Sequence, residues 1–143
     1  MSSEECVGIG VEIEANNINI CCFNGNGDFI KDIQLLAPKP LVPGAVTVRL
    51  CEFLVVEQKF KHLRYLGLAF PGIIDKECRC IKQCHVFDGW TNVPIAEWLE
   101  VRLGIKVFIS STTDCKMFSA SFKPISTIPT MPLLVGFMAQ KNF

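Results

Sequence analysis

The first third of the chain shows the apolar pattern of β-strands. Apolar residues occupy every second position over 7–13, which is the period of a strand with one buried face. A second segment rich in β-formers, 18–23, ends at the Asn-Gly-Asn-Gly run 24–27, whose residues tolerate the positive φ of a tight hairpin. The pattern therefore predicts that the second strand turns back at 24–27 into a third, antiparallel strand over 29–35.

A helix and a buried strand are predicted next. The three prolines of 37–44 favour an extended connector. Beyond it, apolar residues recur at steps of three and four, which predicts a helix of about five turns. The continuous apolar run 65–70, stopped by Pro71-Gly72, is typical of a strand covered on both faces and parallel to its neighbour. The apolar stripe of the helix consists of Val46, Leu50, Phe53, Val56, Phe60 and Leu63.

The remaining elements complete an α/β order. Residues 73–87 are predicted to form a hairpin or loop excursion. A second helix is predicted to follow, with Pro94 in its first turn and Gly104 just past its end. A fifth strand follows over 107–109, and Thr112 or Thr113 is predicted to cap a third helix that runs to about Phe122. The order β-β-β-α-β-α-β-α, with a mixed five-stranded sheet, indicates the ribonuclease H-like lobe of actin-like ATPases and sugar kinases.

Composition narrows the class of protein. Half of the 143 residues are apolar, and 14 basic residues balance 14 acidic ones. A chain without net positive charge is disfavoured as a nucleic-acid or membrane-surface binder, and its low net charge favours self-association. The amino terminus has no secretory pattern, and no apolar run approaches the roughly 20 residues of a membrane span. We therefore expect a cytoplasmic protein whose eight cysteines are reduced.

One segment carries a family resemblance. Residues 66–75 resemble the GxxxPGxxD segment of the ROK family of bacterial sugar kinases and sugar-responsive repressors. Matches in family order at 7–11, 24–27, 89–95 and 103–109 extend the resemblance over roughly residues 6–120. It implies a two-lobed enzyme that closes over a hexose and phosphorylates it with ATP and Mg²⁺.

The phosphate-binding hairpin departs from the family. In ROK kinases this hairpin reads Asp-x-Gly-Gly-Thr-Lys, and its glycines let backbone amides approach the nucleotide phosphates. The corresponding residues here begin at Gly10 and include Glu12, Ile13 and Glu14. Carboxylates at this place would repel polyphosphate, so we predict a degenerate phosphate loop and no cofactor for this chain alone.

The catalytic pair of the family is also absent from its aligned position. The resemblance places the family's Asn-Asp, whose Asp is the general base, at Ser111 and Thr112. A threonine cannot take a proton as that base near neutral pH. Asp114 lies two residues later and is the remaining candidate base. The sequence also stops before a second lobe, which in the family carries the adenosine site, so 1–123 is predicted to be the first lobe and 124–143 a proline-containing tail.

Several residues remain candidate sugar contacts by resemblance. Gly72 and Asp75 either line a sugar pocket or form a turn that ends a strand. Trp90 and Asn92 either contact the ligand or pack against the second helix. Ser111 and Thr112 complete the predicted substrate-binding set, and a hexose or amino sugar is the expected ligand.

A cysteine-rich run follows the predicted fourth strand. Cys78, Cys80, Cys84 and His85 offer the ligand types of a zinc site. Cys78 and Cys80 are separated by a single residue, rather than by the two to four of common zinc motifs, so exposed strand cysteines are the favoured interpretation and zinc the alternative.

The sequence thus predicts a ROK-type sugar-kinase lobe that is non-catalytic alone. Three alternatives stay open: an active lobe completed by a partner chain, a sugar sensor, and an interaction module. The interaction module would form homo-oligomers, such as a dimer, or bind a partner through the apolar segment 133–139.

Overall fold

The computed structural model describes residues 5–114 of the chain. These residues form seven strands and two α-helices, the first of which continues into a π-helical segment. The strands are β1 (Gly8–Ile13), β2 (Asn17–Phe23), β3 (Phe29–Leu36), β4 (Tyr65–Phe70), β5 (Ile73–Asp75), β6 (Cys80–Gln83) and β7 (Lys106–Ser111). The helices are α1 (Pro43–Cys51) and α2 (Ile95–Leu103), and the π-helical segment is Glu52–Glu57.

Five strands form one mixed sheet in the order β3-β2-β1-β4-β7. β1, β2 and β3 pair antiparallel, whereas β1 pairs parallel with β4 and β4 parallel with β7. The apolar positions of β1 lie on one face and join a core that includes Val46 and Leu50 of α1 and Leu99 of α2. The predicted α/β fold with a mixed five-stranded sheet is therefore confirmed.

The first helix is shorter than predicted. Regular α-helix ends at Cys51, and the backbone then widens, as the N–H of Gln58 donates to the carbonyl of Phe53 at 2.9 Å. This i to i+5 bonding rotates the following side chains relative to an α-helix. Phe53 and Leu54 are buried as a result, while Val56, which the stripe placed inside, is 62% exposed.

The segment 73–87 contains a small hairpin, as one of its two predictions stated. β5 and β6 pair antiparallel in a separate two-stranded sheet, with Asp75 opposite Cys80. An antiparallel bridge between Ile81 and Val93 ties this hairpin to the loop that precedes α2.

Part of the sequence prediction falls outside the described residues. Helical backbone begins at 112–114, and the rest of the predicted third helix lies beyond them. The same holds for the predicted boundary after residue 123, the tail 124–143 and the segment 133–139. Among the helices of residues 5–114, none is long and apolar enough to cross a bilayer.

Candidate functional site

The carboxyl ends of three parallel strands meet at one edge of the sheet. Glu12 of β1 lies opposite Ala69 of β4, and Ala69 lies opposite Ser110 of β7. The chain therefore leaves the sheet at neighbouring points after each strand. Open α/β sheets bind ligands outside this edge. We call it the carboxyl edge, formed by Glu12–Glu14, Phe70–Gly72 and Ser110–Asp114.

Two glutamates at the end of β1 share one amide partner. The Asn19 Nδ2 atom of β2 donates to Glu12 Oε1 at 3.4 Å and also to Glu14 Oε1. The Oδ1 atom of Asn19 accepts from Gln34 Nε2 at 3.0 Å. Glu12 is 6% exposed, whereas Glu14 is exposed. These contacts lie on one face of the sheet because side chains of a strand alternate and Asn19 is opposite Glu12.

Gly10 lies two residues earlier within the same strand. It pairs with Gly67 of β4 on one side and with Cys21 of β2 on the other. Its carbonyl accepts a bond from the Cys21 thiol at 3.6 Å, and burial raises the pKa of that thiol. Gly10 is thus an interior strand residue. The segment predicted to be the phosphate loop consists of backbone paired within the sheet, followed by the carboxylates of Glu12 and Glu14.

The end of β7 carries hydroxyl groups at the position where the resemblance places the family's catalytic pair. Ser111 Oγ accepts from the backbone N–H of Asp114 at 3.0 Å, so Ser111 caps the helical turn 112–114. The predicted cap at Thr112 or Thr113 was wrong, because β7 continues to Ser111 rather than ending at 109. Thr112 Oγ1 is buried and has no hydrogen-bond partner within the described part of the chain. Asp114 is exposed.

Gly72 follows β4 at a close backbone approach. Its N–H donates to the carbonyl of Phe70 at 2.9 Å, and a Cβ placed on it would lie 2.7 Å from the carbonyl oxygen of Gln83. A side chain at this position would therefore collide with the backbone of β6. This contact explains the glycine by packing, and the position still lies on the carboxyl edge.

Asp75 is bound within its own hairpin. Its Oδ1 accepts from the backbone N–H of Cys78 at 3.2 Å and from that of Glu77 at 3.0 Å. These bonds, above all the one from Cys78, hold the pKa of the Asp75 carboxyl below its usual value, against the opposing effect of desolvation. The structure therefore gives Asp75 a turn-forming role.

The structure separates the two roles weighed for Trp90 and Asn92. Trp90 is 1% exposed, donates from Nε1 to the carbonyl of Leu41 at 2.9 Å and packs on Phe70 with ring centroids 4.5 Å apart. It is a packing residue. Asn92 has an exposed side chain and a φ of 56°, and its N–H donates to the carbonyl of Lys82. Asn92 thus sits beside the β5–β6 hairpin.

The four predicted zinc ligands do not converge. Cys84 Sγ bonds to the carbonyl of Pro71 at 3.5 Å, and His85 Nε2 lies 3.1 Å from Gln83 Nε2. Cys78 and Cys80 instead approach Asp75. The Asp75 carboxylate raises the pKa of the Cys78 thiol by charge repulsion and a hydrogen bond.

Two contacts were not anticipated from the sequence. Asn19 could have been found, because the predicted hairpin places it opposite Glu12 when the strands are paired in register. The second is a pair between Arg79 and Glu100, at 2.7 Å, which joins residues far apart in the sequence and had no local signal.

Comparison with known proteins identifies the relatives of this chain. The family model described as ROK family matches residues 8–126. The curated glucokinase of Thermotoga maritima is 25% identical over 106 residues, which cover 74% of this chain and 33% of that protein. The chain therefore spans about a third of the length of this relative.

Solved structures agree with the fold. A ROK family glucokinase from Streptomyces griseus, crystallised with glucose and AMPPNP, superposes with a TM-score of 0.66 at 16% identity, covering 79% of this chain and 35% of that one. A ROK family transcriptional regulator, a homologue of the E. coli MLC protein, gives 0.65 at 13% identity, covering 79% and 29%. Because an enzyme and a regulator share this fold, the fold alone does not assign catalysis.

Proposed function

The chain belongs to the ROK family, and from that premise we propose that it is a sugar-kinase-like lobe which does not transfer phosphate by itself and retains at most hexose binding. The observation that carries this proposal is the arrangement of Glu12 and Glu14 around the shared amide of Asn19. It occupies the end of β1, where the family's phosphate hairpin presents glycines.

Charge at this position opposes nucleotide binding. Phosphoryl transfer depends on positioning and on the neutralisation of phosphate charge by amides, cations and Mg²⁺. A carboxylate about 4 Å from one phosphate charge disfavours binding by roughly 4 kcal/mol near a protein surface, close to a thousandfold in affinity. The residues present therefore do not fit the polyphosphate of ATP.

The proton acceptor is missing from the aligned position as well. Thr112 has a hydroxyl group, which cannot act as a general base near neutral pH. Asp114 carries a carboxylate, but it lies in the first helical turn after β7, with its N–H bound to Ser111 Oγ. General-base catalysis requires hydrogen-bond reach to the hydroxyl that reacts, so a shift of two residues argues against Asp114 in this role.

Residual sugar recognition rests on polar groups that remain at the carboxyl edge. Ser111, Thr112 and the backbone beside Gly72 supply hydroxyl and amide groups of the kind that bind sugar hydroxyls. Asn92 adds an exposed amide near the hairpin. The ligand class that fits these groups is a neutral hexose or N-acetylated hexosamine.

The proposal that the chain does not bind nucleotide is tested by removing the carboxylates of Glu12 and Glu14. The wild-type chain, the E12Q/E14Q variant and a variant that restores Gly-Gly-Thr-Lys at residues 12–15 are titrated with an ATP analogue and Mg²⁺. We expect no binding to the wild type and measurable binding after repair. E14Q measures the contribution of one of the two carboxylates, and D28N is the single-charge control, since Asp28 lies in the β2–β3 turn.

The catalytic part is tested directly with ATP and a hexose panel. Sugar phosphate formed by the wild-type chain at a rate abolished by D114N would overturn the proposal. Hexose binding is measured by calorimetry with glucose, N-acetylglucosamine and N-acetylmannosamine. Heat that S111A removes and D28N leaves unchanged would support residual sugar recognition, and its absence for every sugar would limit the chain to a structural role.

A further inference from the structure

The turn between β5 and β6 gathers three side chains that can bind metals. Asp75 closes β5, Cys80 opens β6 directly opposite it, and Cys78 lies in the turn between them. One ligand atom of each lies within 4.8 Å of the others. A tetrahedral zinc ion places two thiolate sulfurs about 3.8 Å apart, so a small approach of the side chains completes the geometry.

Backbone geometry at Arg79 makes this convergence possible. Cys78 and Cys80 are separated by one residue, and in an extended chain the side chains of i and i+2 lie on the same face with their Cα atoms about 6.6 Å apart. Arg79 has a φ of 55°, a left-handed conformation that folds the chain between the two cysteines. The single-residue spacing, which argued against zinc in the sequence, is therefore overcome by this turn.

The charge of Arg79 is directed elsewhere. Its guanidinium binds both carboxylate oxygens of Glu100, at 3.0 and 2.7 Å, and the carbonyl of Val107 at 2.7 Å. These bonds anchor the turn to α2 and β7. The arginine that separates the two thiols is thus held by partners outside the cluster, where it does not neutralise the potential ligands.

Asp75 is oriented before any ion binds. Its Oδ1 accepts two backbone N–H groups of the same turn, which fixes the carboxylate beside the thiols. Hydrogen bonds of this kind to a ligating carboxylate orient it and support metal affinity. Cys78 is exposed and Cys80 half-buried, so an ion can enter from solvent.

We propose that Asp75, Cys78 and Cys80 bind a thiophilic divalent cation of the zinc type, with the fourth coordination position open to solvent. Two thiolates select a soft or borderline ion over Mg²⁺ or Ca²⁺, which prefer oxygen ligands. Three protein ligands leave tetrahedral zinc one free position. The site is independent of the carboxyl edge and of whether the chain binds sugar.

The test uses the reduced 143-residue chain and Cd²⁺ as a spectroscopic substitute for zinc. Thiolate-to-cadmium charge-transfer absorbance is followed during titration of the wild type, of C78S/C80S and of C51S/C84S, a control that removes two half-buried thiols. We expect one equivalent to bind tightly to the wild type and the control, and this absorbance to be lost in C78S/C80S. Equal titration of both double variants would overturn the proposal.

The carboxylate is tested separately. D75N should keep the thiolate absorbance but weaken Cd²⁺ binding by at least about tenfold, since loss of even an outer partner weakens metal sites roughly 10- to 100-fold. Unchanged affinity would exclude Asp75 from the site. In the wild type, added Zn²⁺ should slow alkylation of Cys78 and Cys80 and leave Cys84 unaffected, and slowing of all three alike would overturn the assignment.

Discussion

The guanidinium of Arg79 meets the carboxylate of Glu100 at two points, with Nη1–Oε1 at 3.0 Å and Nη2–Oε2 at 2.7 Å. Glu100 Oε2 also accepts from the backbone N–H of Val107 at 3.0 Å, and Arg79 Nη2 donates to the carbonyl of the same residue. This closed set of bonds joins the β5–β6 turn, α2 and the start of β7, and it fixes the hairpin against the sheet.

Replacement of Glu100 should therefore destabilise the chain. E100A removes a two-point ion pair and a bond to backbone, and we expect it to lower the free energy of unfolding by about 1.5–3 kcal/mol in urea denaturation. The control is E97A, an exposed glutamate of the same helix, which should change stability by about 0.5 kcal/mol or less. Equal effects of the two substitutions would contradict the structural role of the pair.

The same pair predicts a pH dependence. Burial disfavours the charged form of Glu100, but the Arg79 guanidinium and the Val107 N–H outweigh it and hold its pKa below the ordinary value. The stabilisation is therefore complete above the unfolded-state pKa, about 4.3 for Glu, and is lost as the pH falls through the lower folded-state pKa. The stability difference between wild type and E100A should shrink over that acidic range.

The amide of Asn19 donates to the carboxylates of Glu12 and Glu14, and its conversion to aspartate should replace this attraction by repulsion. N19D places a third carboxylate between Glu12 and Glu14, where like charges raise the pKa of the new group in the folded state. We expect a loss of roughly 1–3 kcal/mol at neutral pH, which disappears as the pH falls below the unfolded-state pKa. N16D, in the exposed β1–β2 turn, should show no such pH-dependent loss in urea titrations.

Two glycines should respond to alanine in opposite directions. G72A forces a Cβ to within 2.7 Å of the Gln83 carbonyl and should destabilise by about 1–3 kcal/mol. Gly44, in the first turn of α1, has no atom within 4 Å of a built Cβ. G44A should therefore stabilise by roughly 0.4–1 kcal/mol through the unfolded chain. Thermal unfolding of both variants checks the pair, and a neutral G72A would contradict the close approach.

The two tryptophans should differ in the size of their effect on stability. W90F removes the indole bond to the Leu41 carbonyl from a fully buried site and should lower stability by about 1–3 kcal/mol. Trp98 is only partly buried, so W98F should change stability by about 1 kcal/mol or less. Unfolding followed by far-ultraviolet circular dichroism compares them independently of indole fluorescence.

The strands could be predicted because the local alternation of apolar and polar residues determines which side chains are buried. The alternation over 7–13 places Ile9, Val11 and Ile13 on one face, and the structure buries all three. The first helix could not be predicted to its end, since its apolar spacing fits an α-helix and the π-helical turn at Phe53 depends on how the chain packs against the sheet. Val56 shows the difference, since the α-helical stripe predicts it to be buried and the structure exposes it.

The site was only partly predictable for a related reason. Pairing two predicted strands brings Asn19 to Glu12, so the carboxylate cluster was within reach of sequence reasoning. The left-handed conformation of Arg79 and its bond to Glu100 depend on contacts 21 residues apart in the chain. That Cys78 lies near Asp75 rather than near Cys84 could therefore be learned only from the three-dimensional structure.

The bond from Trp90 to the carbonyl of Leu41 spans 49 residues of sequence and joins the proline-containing connector to the loop ahead of α2. An insertion or deletion beside Leu41 would move that carbonyl away from the indole, and a change at residue 90 would leave the carbonyl unpaired. The positions of the two loops are therefore coupled through this single bond.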